Sequence, residues 1–128
     1  MFKVLVSARV FPTEDPEKVR EAITNLFPAE DVTILGEEMV AKPTDIERFM
    51  MTIRQMRILD AVRGRMRHGV IGNSTTFQLN KQAAYAGKVS AAEGVPPLGN
   101  ITVIIESDDI EKTIDQIAPM TVNGEVVE

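Results

Sequence analysis

Six of the eight arginines fall in the run RFMMTIRQMRILDAVRGRMR, Arg48 to Arg67, where Asp60 is the one acid. That stretch carries a formal +5 on a chain whose net charge is −5. Lys81 and Lys88 extend the basic zone to +7 over residues 48–88. A guanidinium fork binds phosphate through two parallel hydrogen bonds, and the run contains no lysine. Arg54, Arg57, Arg63, Arg65, Arg67, Lys81 and Lys88 are therefore the candidate contacts to a sugar-phosphate backbone. A solvated helix face is the competing account. Cations near a helix C-terminus complement its dipole by about 0.3–1 kcal/mol, and arginine stems cover apolar surface while their heads stay wet. The residues alone weigh the two evenly. Tyr85, the sole tyrosine, is either a ring on which a base stacks or part of the core edge.

Other chemistry finds little footing. The absence of cysteine excludes disulfides, thiolate metal sites and cysteine nucleophiles. His68 is the only histidine, so a metal site would need carboxylates gathered from elsewhere, and none is expected. Glu37-Glu38 and Asp108-Asp109 read as solvated charges and a helix cap. Ser74, Thr75 and Thr76 have no partner base except His68. Gly69 to Gly72, GVIG, has the spacing of a strand-clamping loop but lacks its basic residue, and helix termination explains it better. GVPPLG lacks the Lys-Ser/Thr ending of a phosphate loop. No catalytic constellation and no cofactor signature emerge, so the chain reads as a non-enzyme.

With 128 residues, 44% hydrophobic and 26% charged, the chain suits one globular domain. No apolar run approaches the roughly 20 residues that cross a bilayer, and a cytoplasmic location is expected. The overall acidity argues against a protein that coats nucleic acid with its whole surface, but it allows a local basic patch.

The elements that must carry these residues follow from periodicity. Phe2, Val4, Val6, Ala8 and Val10 alternate with polar residues, which predicts a strand. Asp15-Pro16 starts a helix carrying Val19, Ala22, Ile23 and Leu26, and Pro28 ends it. Strands follow at Val32–Leu35 and, after a break at Gly36, at Met39–Ala41. Thr44 and Glu47 have capping-box spacing, so a second helix is predicted from Asp45. Strands at Thr75–Leu79 and Ile101–Ile105 flank a short helix capped by Asn80. Ile110, Ile114 and Ile117 form a last helix. Asn123-Gly124 has the composition of a hairpin turn. The alternating strands predict an α+β two-layer sandwich, a mainly antiparallel sheet with helices packed on one face. A parallel α/β arrangement is the alternative. Residues 1–118 would form the single domain and 119–128 a C-terminal extension with a hairpin.

On the second helix, Ile46, Phe49, Ile53 and Met56 fall within about 80° of the wheel, a core stripe. Beyond Ile58 the apolar positions shift to Leu59, Val62 and Met66, and Gly64 is a poor interior residue by roughly 1 kcal/mol. A bend or end is therefore expected near Arg63–Met66. Asp60 and Arg63 have the spacing of a helix-surface ion pair.

Read together, VFPTEDPEKVREAITNLFP, RQMRILDAVRGRM, FQLNKQAAYAGKVS and PLGNITVII resemble an archaeal family of small proteins grouped with predicted RNA-binding domains. Its fold is similar to that of the large-subunit ribosomal protein numbered five. Phe11–Asp15 and Asn80–Ala84 with Gly87 are the most specific segments, and the pattern also marks Gln55, Asp60 and Arg63. The resemblance implies a two-layer α+β domain and brings no catalytic residues. The resulting expectation is a non-catalytic RNA-binding module that meets structured RNA through its arginine-rich helix. The alternative is a protein-interaction domain, such as a homodimer, using Met50, Met51 and Ile58 outside the core stripe.

Overall fold

The computed structural model of the chain describes residues 2–91, 99–122 and 125–126. Strand β1 (Phe2–Arg9) lies at the centre of a six-stranded sheet. Helix α1 (Pro16–Leu26) follows, with the Asp15 carboxylate accepting from the Glu17 amide at 3.0 Å and Pro16 in the first turn. Strands β2 (Val32–Leu35) and β3 (Glu38–Ala41) form a hairpin turned by Gly36, whose φ is +65°. Helices α2 (Glu47–Gln55) and α3 (Leu59–His68) then cross to a second hairpin, β4 (Val70–Ile71) with β5 (Ser74–Asn80). Helix α4 (Lys81–Tyr85), strand β6 (Asn100–Ser107) and helix α5 (Ile110–Ile117) complete the layers.

The strand order is β2-β3-β1-β6-β5-β4, and every pairing is antiparallel. Its register aligns Val4 with Ile105, Val6 with Val103 and Ala8 with Ile101, and continues to Thr75, Phe77 and Leu79 on β5. These residues and Met39 and Ala41 are all buried, so one face of the sheet makes the core. The helices cover it with Val19, Ile23 and Leu26 of α1, Phe49 and Ile53 of α2, Met66 of α3 and Ile114 of α5. Phe27 stacks on Phe49 at 5.0 Å between centroids, and Phe49 meets Phe77 at 6.0 Å. Each such contact adds about 0.5–1.5 kcal/mol beyond burial alone. The opposite face keeps Leu5, Val40 and Ile104 half-buried among Ser7, Thr76 and Thr102. The two-layer α+β sandwich is thus the observed architecture.

Three local expectations are corrected. The second helix starts at Glu47 rather than Asp45; Ile46 holds the cap position, and the Asp45 carboxylate instead accepts from the Glu47 amide at 3.1 Å. The bend lies at Met56–Ile58, not Arg63–Met66, because the two core stripes part there. The Ile58 amide donates to Ile53 O at 3.1 Å and the Arg57 amide to Arg54 O at 3.2 Å, the two bonds of a Schellman ending. Arg57 occupies its left-handed position with φ +57°, and Met56 leaves the core for a half-exposed place. Gly64 sits inside α3 with open space around it. The third correction concerns Gly69, which does more than end α3. A Cβ there would lie 1.9 Å from Thr76 O, so only glycine lets β5 run against the helix end.

Strands β7 (Thr121–Val122) and β8 (Glu125–Val126) pair antiparallel, while the proposed turn residues Asn123-Gly124 lie outside the described residues. Most of GVPPLG does as well. No described helix is long and apolar enough to cross a membrane.

Candidate nucleic-acid interface

The break at Arg57 divides the arginine run into groups with different surroundings. On α3, Arg63 turns toward α5. Its Nη1 lies 2.6 Å from Asp115 Oδ1 and donates to Ala118 O at 3.1 Å, leaving the side chain 11% exposed. A cation on the last carbonyls of α5 also complements that helix's dipole. Asp60, expected to pair with Arg63, instead accepts from Thr121 Oγ1 at 2.6 Å. Arg67 approaches Glu111 at 3.8 Å with both side chains more than half exposed, a contact worth about 0–1 kcal/mol. Glu111 and Asp115 lie four apart on α5, one helical turn, so a single acidic edge receives both arginines. Arg65 is exposed on the same helix.

Arg54 lies in the last turn of α2 and Arg57 follows in the left-handed corner, both exposed. A distant segment joins them here. The Val89 amide donates to Met56 Sδ at 3.4 Å, so Lys88 and Arg57 sit on residues adjacent to the two ends of one hydrogen bond. Lys88 is itself turned into place by its amide bonding Ala83 O at 2.8 Å, beyond Gly87 at φ +77°. Lys88 is also exposed. The segment carrying Lys88 thus packs at the α2–α3 corner that carries Arg54 and Arg57, although 31 positions separate Arg57 from Lys88 in the chain.

Lys81 lies elsewhere. Its Nζ binds both Glu14 carboxylate oxygens at 3.0 and 3.1 Å and donates to Arg9 O at 2.7 Å, with side-chain exposures of 8% and 11% for Lys81 and Glu14. The ammonium also lies 5.6 Å from the Phe11 ring, and Glu14 Oε1 accepts from the Phe11 amide at 3.0 Å. An ion so enclosed and so fully partnered is already committed to the fold.

This bridge brings Phe11–Asp15 and Asn80–Ala84 together at the wall of a cleft of about 710 Å³. Val19, Ala22 and the half-exposed Tyr85 supply its apolar side, and Thr13, Asp15, Lys18, Gln82 and Gly99 its rim. Asn25 holds α4 against α1 by donating from Nδ2 to Ala84 O at 3.1 Å and Tyr85 O at 3.0 Å.

Residue-type reasoning missed Glu14 as the partner of Lys81, Glu111 and Asp115 as partners of the arginines, and the cleft itself. The usable signal was the pair of specific segments, one carrying an acid and the other a lysine. No group of three or more metal-ligating side chains occurs among the described residues.

Comparison with known proteins bears on the whole domain. A family model described as RNA binding matches residues 3–107. A UPF0201 protein of Methanopyrus kandleri is 40% identical over 98% of this chain and 89% of its own length. One from Metallosphaera sedula is 36% identical over 97% and 92%. The crystal structure of a UPF0201 protein from Methanococcus jannaschii superposes with a TM-score of 0.90 at 39% identity, covering 98% of this chain and 99% of that one. The chain therefore belongs to the family described as RNA binding, together with the archaeal UPF0201 proteins.

Proposed function

We infer that the protein is a non-catalytic RNA-binding module of the cytoplasm whose backbone contacts come from the α2–α3 corner. Arg54, Arg57 and Lys88 meet the phosphates there, and Arg65 adds a contact from α3. Arg63, Arg67 and Lys81 serve instead to hold α3 to α5 and α4 to β1. The observation carrying this reading is the bond from Val89, next to Lys88, to Met56, next to Arg57 in its left-handed conformation. A charged residue in a position that favours glycine costs about 1–2 kcal/mol of local strain. Its presence is accounted for if the guanidinium has work outside the fold.

Readout by backbone contact depends on salt, because each neutralised phosphate releases counterions. Binding of a fluorescently labelled RNA hairpin should weaken steeply as salt rises. The log–log slope should shrink by about 0.7–0.9 for each of Arg54→Ala, Arg57→Ala and Lys88→Ala. Variants that bind like the parent at every salt concentration would remove the corner from the interface.

One observation favours a second reading. Met51, on α2, is 59% exposed, and a flexible thioether suits a partner surface. If α2 mediates a homodimer, light scattering over a dilution series will show a mass that falls on dilution and a Met51→Lys variant that is monomeric throughout.

A further inference from the structure

We propose that the cleft between α1 and α4 is a nucleobase pocket, in which Tyr85 stacks on a base and Gln82 reads its edge. The proposal deepens the RNA reading above and rests on it for the source of the base.

Four features of the cleft point to this ligand class. Its volume, about 710 Å³, falls in the usual range of small-ligand sites, roughly 300–1,000 Å³. Its sides differ chemically: the Tyr85 ring offers an exposed apolar surface backed by the buried Val19 and Ala22, while Gln82 is exposed at the rim. A planar heterocycle with donors and acceptors on its edge suits that combination, and stacking with edge hydrogen bonds is how unpaired bases are read. The charges restrict the ligand further. Glu14 and Asp15 stand against Lys18 and Lys81, and the Glu14–Lys81 pair neutralises itself at hydrogen-bond distance. A polyphosphate or a metal ion therefore meets no net charge among the described lining side chains. Lys18, exposed at the rim, offers a cation for one phosphate attached to the base. Finally, the wall is fixed before binding, because Asn25 bonds the carbonyls of both Ala84 and Tyr85. A preformed wall loses little conformational freedom on binding.

The cleft and the phosphate-binding corner lie on one continuous segment. Tyr85 ends α4, and Lys88 follows three residues later, next to Val89, whose amide bonds Met56 Sδ. A single strand with its backbone on Arg57 and Lys88 would thus have an unstacked base close to Tyr85. A base could equally arrive on a free nucleotide, so the test has an arm for each source.

Tyr85 is the only tyrosine and the chain has no tryptophan, so tyrosine emission reports on this site alone. Emission is followed, with correction for absorption by the base, during titration with adenosine 5′-monophosphate, a single-stranded oligoadenylate and an RNA duplex of equal length. Saturable quenching by the nucleotide and the single strand, with none by the duplex, is the expected result. Tyr85→Ala should lower single-strand affinity, read by anisotropy, roughly tenfold, within the range for one base–aromatic stack, and leave duplex affinity unchanged. Tyr85→Phe should restore it, which a merely structural loss in the alanine variant would not explain unless its melting temperature also fell. Quenching by the nucleotide without any RNA binding would overturn the RNA reading and keep the pocket. Salt-dependent RNA binding with unchanged emission, and with Tyr85→Ala binding like the parent, would overturn the pocket and keep the RNA reading.

Discussion

Replacing Arg57 by glycine should make the protein more stable and a poorer RNA binder at once. Arg57 has φ +57° at the C′ position of a Schellman ending, where a Cβ crowds the following carbonyl. Removing that crowding returns about 1–2 kcal/mol. Glycine gives back about 0.5–1 kcal/mol of this through the greater freedom of its unfolded chain. The net expectation is a gain of roughly 0.5–1 kcal/mol, or a melting temperature about 2–4 °C higher for a domain of this size. No ion pair need be subtracted, because Arg57 makes none among the described residues. Circular dichroism melts give the stability, and anisotropy with an RNA hairpin across salt gives the binding. Arg57→Ala separates the two effects, since it keeps the Cβ and loses the charge: its stability should stay within about 0.5 kcal/mol of the parent while its salt slope drops like that of Arg57→Gly. A melting temperature that falls in Arg57→Gly would refute the reasoning, by showing that the arginine holds the fold at this corner.

The other expectations concern the cations assigned to the fold and one glycine. Lys81→Met leaves the Glu14 carboxylate enclosed without its partner and should lower stability by about 3–5 kcal/mol in urea melts. Arg63→Ala breaks charged hydrogen bonds to Asp115 and Ala118 O and should cost about 1.5–3 kcal/mol, whereas Arg67→Ala, at an exposed pair, should cost less than about 1. Equal losses for the two arginines would contradict the division of the run. Gly69→Ala places a methyl group against Thr76 O and should destabilise by about 1–3 kcal/mol or more, with β4–β5 amides losing hydrogen-exchange protection first.

The core strands were legible because Val4, Val6 and Ala8, and Ile101, Val103 and Ile105, alternate with a clean period of two and their faces match in register. The short hairpin strand β4 was not, since two residues carry no periodicity and its Gly-x-x-Gly setting suggested only a helix end. The helix break was half legible. The rotation from Ile46, Phe49 and Ile53 to Leu59, Val62 and Met66 is visible in the sequence, but Gly64 drew attention to the wrong place. Arg57 gave no warning, because arginine is a good helix former and its left-handed geometry comes from the tertiary need to pack both stripes. Charge pairing was the least legible feature. Arg63 has Asp60 within one turn, yet its partner is Asp115, 52 positions away, and Lys81 finds Glu14 across 67 positions. Local spacing proposes ion pairs, but which carboxylate wins depends on how α3 and α5 lie together.

The salt dependence of hairpin RNA binding, compared between the parent and Arg54→Ala/Arg57→Ala/Lys88→Ala, tests the central claim most directly. A corner that holds three phosphates predicts a steep parent slope and a triple variant whose slope is smaller by about 2–3, with an unchanged melting temperature. Equal slopes and affinities in parent and variant, with both proteins folded, would contradict it.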